Sequence, residues 1–237
     1  MFFQPEKIVI FDIHADYAQF KKYFTNMSPL TFSMPPRTVL SGILGALTGI
    51  DKKENPEFFS KDNSFISVKT NNPVKKVKLP TNYLKTVSKA HFSKFEQHKP
   101  TNVEYLKSPS FRVYVAHKDK TVYEKIKQNL MDHKSVYTLT LGISSCIANF
   151  SFVGEFDIKA ATGQGDFISI IPREMIQQIT FNETVILQQC TLPNVMLNDR
   201  EVIEYREFLY EVNGNPISGK VEAYYSIPDR GENIVGM

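Results

Sequence analysis

The run "SPLTFSMPPRTVLSGILGALTG" (28–49) constrains this chain more than any other stretch. An apolar segment broken by Gly42, Gly45 and Gly49, and preceded by Pro35-Pro36-Arg37, admits three readings: a membrane span, a buried helix, or a helix start that receives an anion. Length removes the first, because Val39 to Ile50 is only about two-thirds of the ~20 residues a membrane helix needs. Pro36 suits a first helical turn, where a missing N–H costs nothing. Val39, Leu40, Ile43, Leu44 and Leu47 then form a broad apolar face, and Gly49 stands where a helix stops. Gly42 and Gly45 each cost about 1 kcal/mol relative to alanine in a helix interior. Close packing on a sheet, or close approach to a ligand backbone, offsets that cost. Arg37 and Thr38 fall in the first turn, where free N–H groups and the helix dipole favour an anion.

Around this helix the pattern alternates between strands and helices. "KIVIFDI" (7–13) is a β-branched run and predicts a buried first strand; "NSFISVKT" (63–70) and "SFRVYVAHK" (110–118) predict two more. "DKTVYEKIKQNLMDH" (119–133) predicts a helix, with Thr121 and Glu124 at capping-box spacing and Val122, Ile126 and Leu130 on one face. "SVYTLTLGISSCIANFSFVGEF" (135–156) predicts two strands around a turn at Gly142–Ser145. Between the second and third strands, residues 70–107 lack an apolar period. Lys75, Lys76, Lys78, Lys85, Lys89, Lys94 and Lys99 are interleaved there with Tyr83, Phe92 and Phe95, which predicts an extended, solvent-reaching insertion. From 180 onward come short strands and loops. The order strand, helix, strand, long hairpin, strand, helix, strand predicts an α+β, ferredoxin-like domain over 1–150, a shape shared by many binders of single-stranded RNA. A β-rich region follows over 151–237.

Charge divides along the same line. Residues 1–150 carry 22 lysines and arginines against 12 aspartates and glutamates, whereas 151–237 carry 6 against 13. Such a split suggests one face for a polyanion and another for a different neighbour, the alternative being charge scattered over two solvated surfaces. Cys146 and Cys190 lie far apart without metal-ligand spacing, which argues against a disulfide framework or zinc site and fits a reducing, cytoplasmic compartment. "MFFQPEKIVIFDIH" has no basic n-region or small-residue cleavage site and is not read as a signal peptide.

No catalytic signature stands out. The chain has no Walker A loop, no G-x-S-x-G, no H-E-x-x-H, and no dinucleotide glycine pattern after its first strand. Asp12 and Asp16 lack a third acidic neighbour, and the five histidines (14, 91, 98, 117 and 133) are not grouped at ligand spacing. No metal or other cofactor is expected. What remains is a lysine- and aromatic-rich arm, a dipole-positive helix start and glycine turns. Lysines neutralise phosphates, aromatics stack on unpaired bases, and glycines let backbone amides reach phosphate oxygens. Together these favour nucleic acid.

The block "IVIFDIHADYAQFKKYFTNMSPLTFSMPPRTVLSGILGALTGI" closely resembles the N-terminal signature of the fifth CRISPR-associated (Cas) protein family, of the RAMP superfamily, and "LGISSCIANF" and "FISIIP" resemble its later landmarks. The form "IFDI…GALTG" is most similar to the type I-B branch. The resemblance implies a RAMP domain with a long β-hairpin thumb, here about 70–107, and a small β-rich C-terminal part. It implies a non-catalytic subunit of Cascade that binds and caps the 5′ handle of crRNA, next to the backbone and large subunits, meeting target DNA only through the complex and no membrane. The candidate RNA-binding residues are Lys21, Lys22, Arg37, Thr38, Ser41, Lys75, Lys76, Lys78, Gly142, Ser144 and Ser145. The type I-C branch instead cuts precursor RNA without metal, using a Tyr, Lys and His set. Such chemistry needs a base, an acid and a cation at the phosphorane. His117 and Lys118 are the alternative catalytic candidates, although the matching motifs do not carry that triad's positions.

Overall fold

The computed structural model describes residues 3–25, 28–84, 98–181 and 184–237. In chain order its elements are β1 (Lys7–His14), β2 (Tyr17–Ala18), α1 (Arg37–Thr48), α2 (Asn55–Phe58), β3 (Ser64–Thr70), β4 (Lys76–Leu84), β5 (His98–Lys107), β6 (Ser110–His117), α3 (Lys120–Met131), β7 (Asn149–Asp157), β8 (Lys159–Phe167), β9 (Ile171–Pro172), β10 (Ile176–Ile179), β11 (Leu187–Met196), β12 (Val202–Glu211), β13 (Ile217–Ile227) and β14 (Glu232–Ile234). Strand dominates. Among the described residues no helix is long and apolar enough to cross a membrane.

The unbroken apolar run of β1 has a direct cause. It pairs antiparallel with β6 on one side and β7 on the other, within a sheet ordered β3-β6-β1-β7. Both of its faces are covered. Val9, Phe11 and Ile13 pack with Leu40, Ile43, Leu44 and Leu47 of α1 and with Ile126 and Leu130 of α3. Ile8 and Ile10 face the other way, against Phe65, Tyr114, Ile227 and Ile234. Each such side chain contributes about 1.5–3 kcal/mol by leaving water. On that second face Arg112 holds Asp12 through two hydrogen bonds of 2.8 and 2.9 Å, and Tyr114 donates its hydroxyl to Glu232 at 3.2 Å. Arg112 of β6 also reaches Glu232, at 3.7 Å, so charge stitches β14 to the sheet.

The C-terminal part is not a separate body. Ile170 N–H donates to Val68 O, Met237 N–H donates to Ile66 O, and Ser67 Oγ–H donates to Val235 O, which extends the sheet beyond β3. Leu192, Phe208 and Tyr210 share the core of β1 and α1. The boundary expected at 150 falls inside β7, because that strand completes the first sheet by pairing with β1. The acidic half therefore shares a core with the basic half.

Two local expectations are corrected. Helix α3 is capped by Asp119, whose carboxylate accepts from the N–H groups of Thr121 and Val122, and not by Thr121. Between 135 and 148 only a Thr140–Ile147 bridge forms ahead of β7, so one strand stands where two were expected.

Candidate nucleic-acid interface

After β2 the chain makes a short excursion and returns. Phe20 N–H donates to Thr31 Oγ1, Phe32 N–H donates to Phe20 O, and Lys22 N–H donates to Leu30 O. Lys21 bridges Thr31. Phe20 and Phe32 are buried and root the loop in the core, which leaves the next aromatic pair outside. Tyr23 and Phe24 are 64% and 62% exposed. Tyr23 meets Phe24 edge-on, with ring centroids 5.1 Å apart, and meets Tyr205 of β12, also at 5.1 Å. The Lys22 ammonium lies 5.9 Å from the Phe24 ring and 5.7 Å from that of Phe32. A solvent-facing cluster of three aromatic rings threaded by lysine gains little by folding alone.

The lysine-rich insertion supplies the neighbouring wall. β4 and β5 form a two-stranded antiparallel ladder from Lys76–Leu106 to Leu84–His98. Residues 85–97, with Lys85, Lys89, Lys94, Phe92 and Phe95, lie outside the described residues. Lys75, Lys76 and Lys78 are exposed. Lys76 is nonetheless engaged: its Nζ donates to Thr31 O at 3.0 Å and lies 3.5 Å from Glu104, whose Oε1 accepts the Thr31 N–H. It fastens the aromatic loop to the ladder. Burial pushes the Cys190 thiol up to about 12, against the pull of Lys22 and Lys76. The base of the insertion is no loose arm, because Val103 and Leu106 are fully buried.

Other expected contacts go elsewhere. Arg37 is the main correction. Pro36 is the N-cap and Arg37 the first helical residue, but its side chain turns inward and is 3% exposed. Its Nη2 donates to Phe59 O at 3.0 Å, Ser64 O at 3.1 Å and Ser64 Oγ at 2.9 Å. It ties α1 to the end of α2 and the start of β3, and the outward phosphate ligand expected at this position is absent. Burial, with Arg206 nearby, lowers its pKa to about 10. Ser41 is likewise buried and donates to Arg37 O at 3.0 Å. Thr38 is half-buried beside a cavity along α1.

The helix glycines do not pack on the sheet. A Cβ on Gly45 would stand 2.1 Å from Asn55 Oδ1, and one on Gly42 would meet nothing. Gly49 does end the helix, at φ 77°. The turn holding Gly142, Ser144 and Ser145 packs through Ile143 and Cys146 on Val77, Leu79, Val103 and Tyr105. These project from the ladder face opposite Lys76 and Lys78, since side chains alternate along a strand. The turn therefore does not join the lysine and aromatic cluster.

His117 is spoken for on both ring nitrogens. Asp119 N–H donates to Nδ1 at 3.0 Å, so Nε2 carries the proton and donates to Phe58 O at 2.9 Å. Its ring packs on Phe59, while Lys118 is exposed. Both ring nitrogens of His117, the alternative catalytic candidate, are thus engaged by backbone groups in this structure. Reasoning from sequence missed Tyr23, Phe24 and Tyr205 as one unit. The adjacent "KKYF" (21–24) carried a signal for the first two, but nothing local pointed to Tyr205.

The family model described as "CRISPR-associated protein (Cas_Cas5)" matches residues 8–212. The chain belongs to the Cas5 family. The matched span contains the aromatic loop, the ladder and Tyr205. Among solved structures, a CRISPR protein from Archaeoglobus fulgidus is 15% identical to this Cas5 chain and aligns over 97% of it and 98% of its own length, with a TM-score of 0.62. A chain of a CRISPR RNA-guided surveillance complex is 10% identical over 88% of this chain and 91% of its own, with a TM-score of 0.51. At such identities these likenesses establish the fold. No curated protein matches the chain.

Proposed function

We propose that this Cas5 chain is a non-catalytic subunit of a type I CRISPR surveillance complex, of the I-B kind, that binds and caps the 5′ handle of crRNA. The observation that carries this reading is the exposed Tyr23–Phe24–Tyr205 cluster with Lys22 against its Phe24 ring. Unpaired bases stack on such rings and lysines neutralise the phosphates between them; each stacked base contributes about 1–3 kcal/mol. Membership of the Cas5 family and the fold shared with a chain of an RNA-guided surveillance complex support the assignment. The β3-β6-β1-β7 order, with α1 and α3 on one face, is the order a ferredoxin-like RAMP domain requires. The β4–β5 ladder is then the stem of the thumb. Lys78, on the same ladder face as Lys76, extends the basic track from the aromatic cluster along it. The partners are crRNA, the backbone subunit and the large subunit, in the cytoplasm, with target DNA reached only through the assembly.

The test is fluorescence anisotropy of labelled repeat RNA with wild-type chain, Tyr23→Ala and Phe24→Ala. Each variant weakens binding by about 1–3 kcal/mol and leaves the melting temperature unchanged. Incubating wild-type chain with the repeat hairpin in EDTA yields no discrete product. Affinity indifferent to both substitutions, or a metal-independent product, overturns the proposal.

A further inference from the structure

An acid sits inside the basic track. Glu104 of β5 stands opposite Lys78 of β4 in register and so shares a ladder face with Lys76 and Lys78. Beside RNA phosphate a carboxylate costs affinity, so charge alone makes Glu104 a liability there. Its hydrogen bonds point to another task. The side chain is only 15% exposed, and its Oε1 accepts the Thr31 N–H at 3.2 Å and lies 3.5 Å from Lys76 Nζ. The Glu104 N–H donates to Pro29 O at 2.9 Å, and Lys76 donates to Thr31 O at 3.0 Å. One residue of the ladder thus holds the returning arm of the aromatic loop at two points, and Lys76 holds it at a third.

That arm sets where the rings stand. Residues 20–22 and 30–32 pair antiparallel, and Tyr23 and Phe24 follow directly on Lys22. So short a two-stranded pairing is marginal by itself. The Thr25 hydroxyl adds a tie within the loop, donating to Lys22 O at 2.9 Å and accepting the Leu30 N–H at 3.1 Å. Glu104 ties the loop to a fixed mount instead, because β5 pairs with both β2 and β4, and Val103 and Leu106 on either side of Glu104 are buried. Thr31 is fully buried as well, so its N–H is left without a partner once the carboxylate is removed.

We propose that Glu104 is a positioning residue: it touches no RNA, and it holds the returning arm so that Tyr23 and Phe24 present their rings to unpaired bases. This role rests on the aromatic cluster as the RNA face. The test compares Glu104→Ala and Glu104→Gln in the intact chain. Anisotropy with repeat RNA reads affinity; without RNA, ¹H–¹³C spectra of the Tyr23 and Phe24 rings and hydrogen exchange of the Thr31 amide read the loop. Alanine shifts both ring signals, speeds exchange at Thr31 and weakens RNA binding by about tenfold, the scale of one lost base stack. Glutamine keeps an acceptor for the Thr31 N–H and restores the ring signals, the amide protection and most of the affinity. Exchange in β1 and β6 stays as in wild type for both variants, which separates a displaced loop from general unfolding. Charge alone predicts the opposite sign, since both substitutions take a negative charge out of the basic track. Glu104→Ala binding RNA as tightly as wild type, or more tightly, overturns the proposal, as do unchanged ring and Thr31 signals. Tyr23→Ala binding like wild type strikes the RNA face instead, and the ring and amide signals still decide whether Glu104 positions the loop.

Discussion

Replacing Arg37 by methionine removes the guanidinium and keeps most of the stem. Three bonds from Nη2 are lost, two of them to the backbone oxygens of Phe59 and Ser64. Phe59 O keeps one donor, the Ser64 hydroxyl at 2.9 Å. Hydrogen bonds from a charged group are each worth about 1.5–3 kcal/mol, but relief from burying an unpaired cation offsets part of the total. The expected net loss is about 2–3 kcal/mol. For a chain of this length that lowers the melting temperature by about 4–12 °C. Arg37→Lys keeps the charge and loses the fork, and it falls in the same range because an ammonium cannot reproduce the planar geometry. Circular-dichroism melting of the isolated variants measures the loss, and anisotropy with repeat RNA runs in parallel. RNA affinity stays within about 0.5 kcal/mol of wild type. An unchanged melting temperature together with a tenfold loss of RNA affinity would refute the inward placement and return Arg37 to the phosphate.

Gly142→Ala places a Cβ 1.9 Å from Gln19 O at a φ of +97°. Left-handed strain alone costs about 1–2 kcal/mol, so urea unfolding shows a loss above about 2 kcal/mol; a loss under half of that contradicts the packing. Lys76→Glu breaks the tie to Thr31 O and Glu104 and lowers stability, whereas Lys75→Glu and Lys78→Glu lower RNA affinity and leave the melting temperature in place. Burial works against the Asp12 carboxylate, but hydrogen bonds from Arg112 and Asn71 outweigh it and hold the group below its ordinary value of 3.8. A depressed folded pKa stabilises above the unfolded value and loses that contribution as pH falls through the folded one. The stability difference between wild type and Asp12→Asn is therefore full above pH 3.8 and shrinks below it, as acid titration followed by circular dichroism checks.

Much of the first sheet was legible, because β1, β3 and β6 each bury a continuous or alternating apolar run and their ends carry turn residues. Helix α1 was legible for the same reason, down to Gly49 as its stop. The direction of Arg37 was not. A first-turn arginine faces solvent or core according to what lies beside it, and here Phe59 and Ser64, 22 and 27 residues away, decide it. The cap of α3 was misplaced because "HKDKT" (117–121) offers Asp119 and Thr121 as competing caps, and sequence alone does not rank them. Charge composition suggested one face for a polyanion and another for a different neighbour. Charge does not track the fold, since an acidic strand delivers the third ring of the exposed aromatic cluster.

The most direct measurement is ultraviolet crosslinking, with mass-spectrometric mapping, of this chain co-expressed with its neighbouring subunits and the RNA it retains. The account predicts nucleotide adducts on Tyr23, Phe24 and Tyr205, with handle-derived RNA in the adducts. Adducts confined to the Gly142–Ser145 turn, with the three rings unmodified, would contradict it.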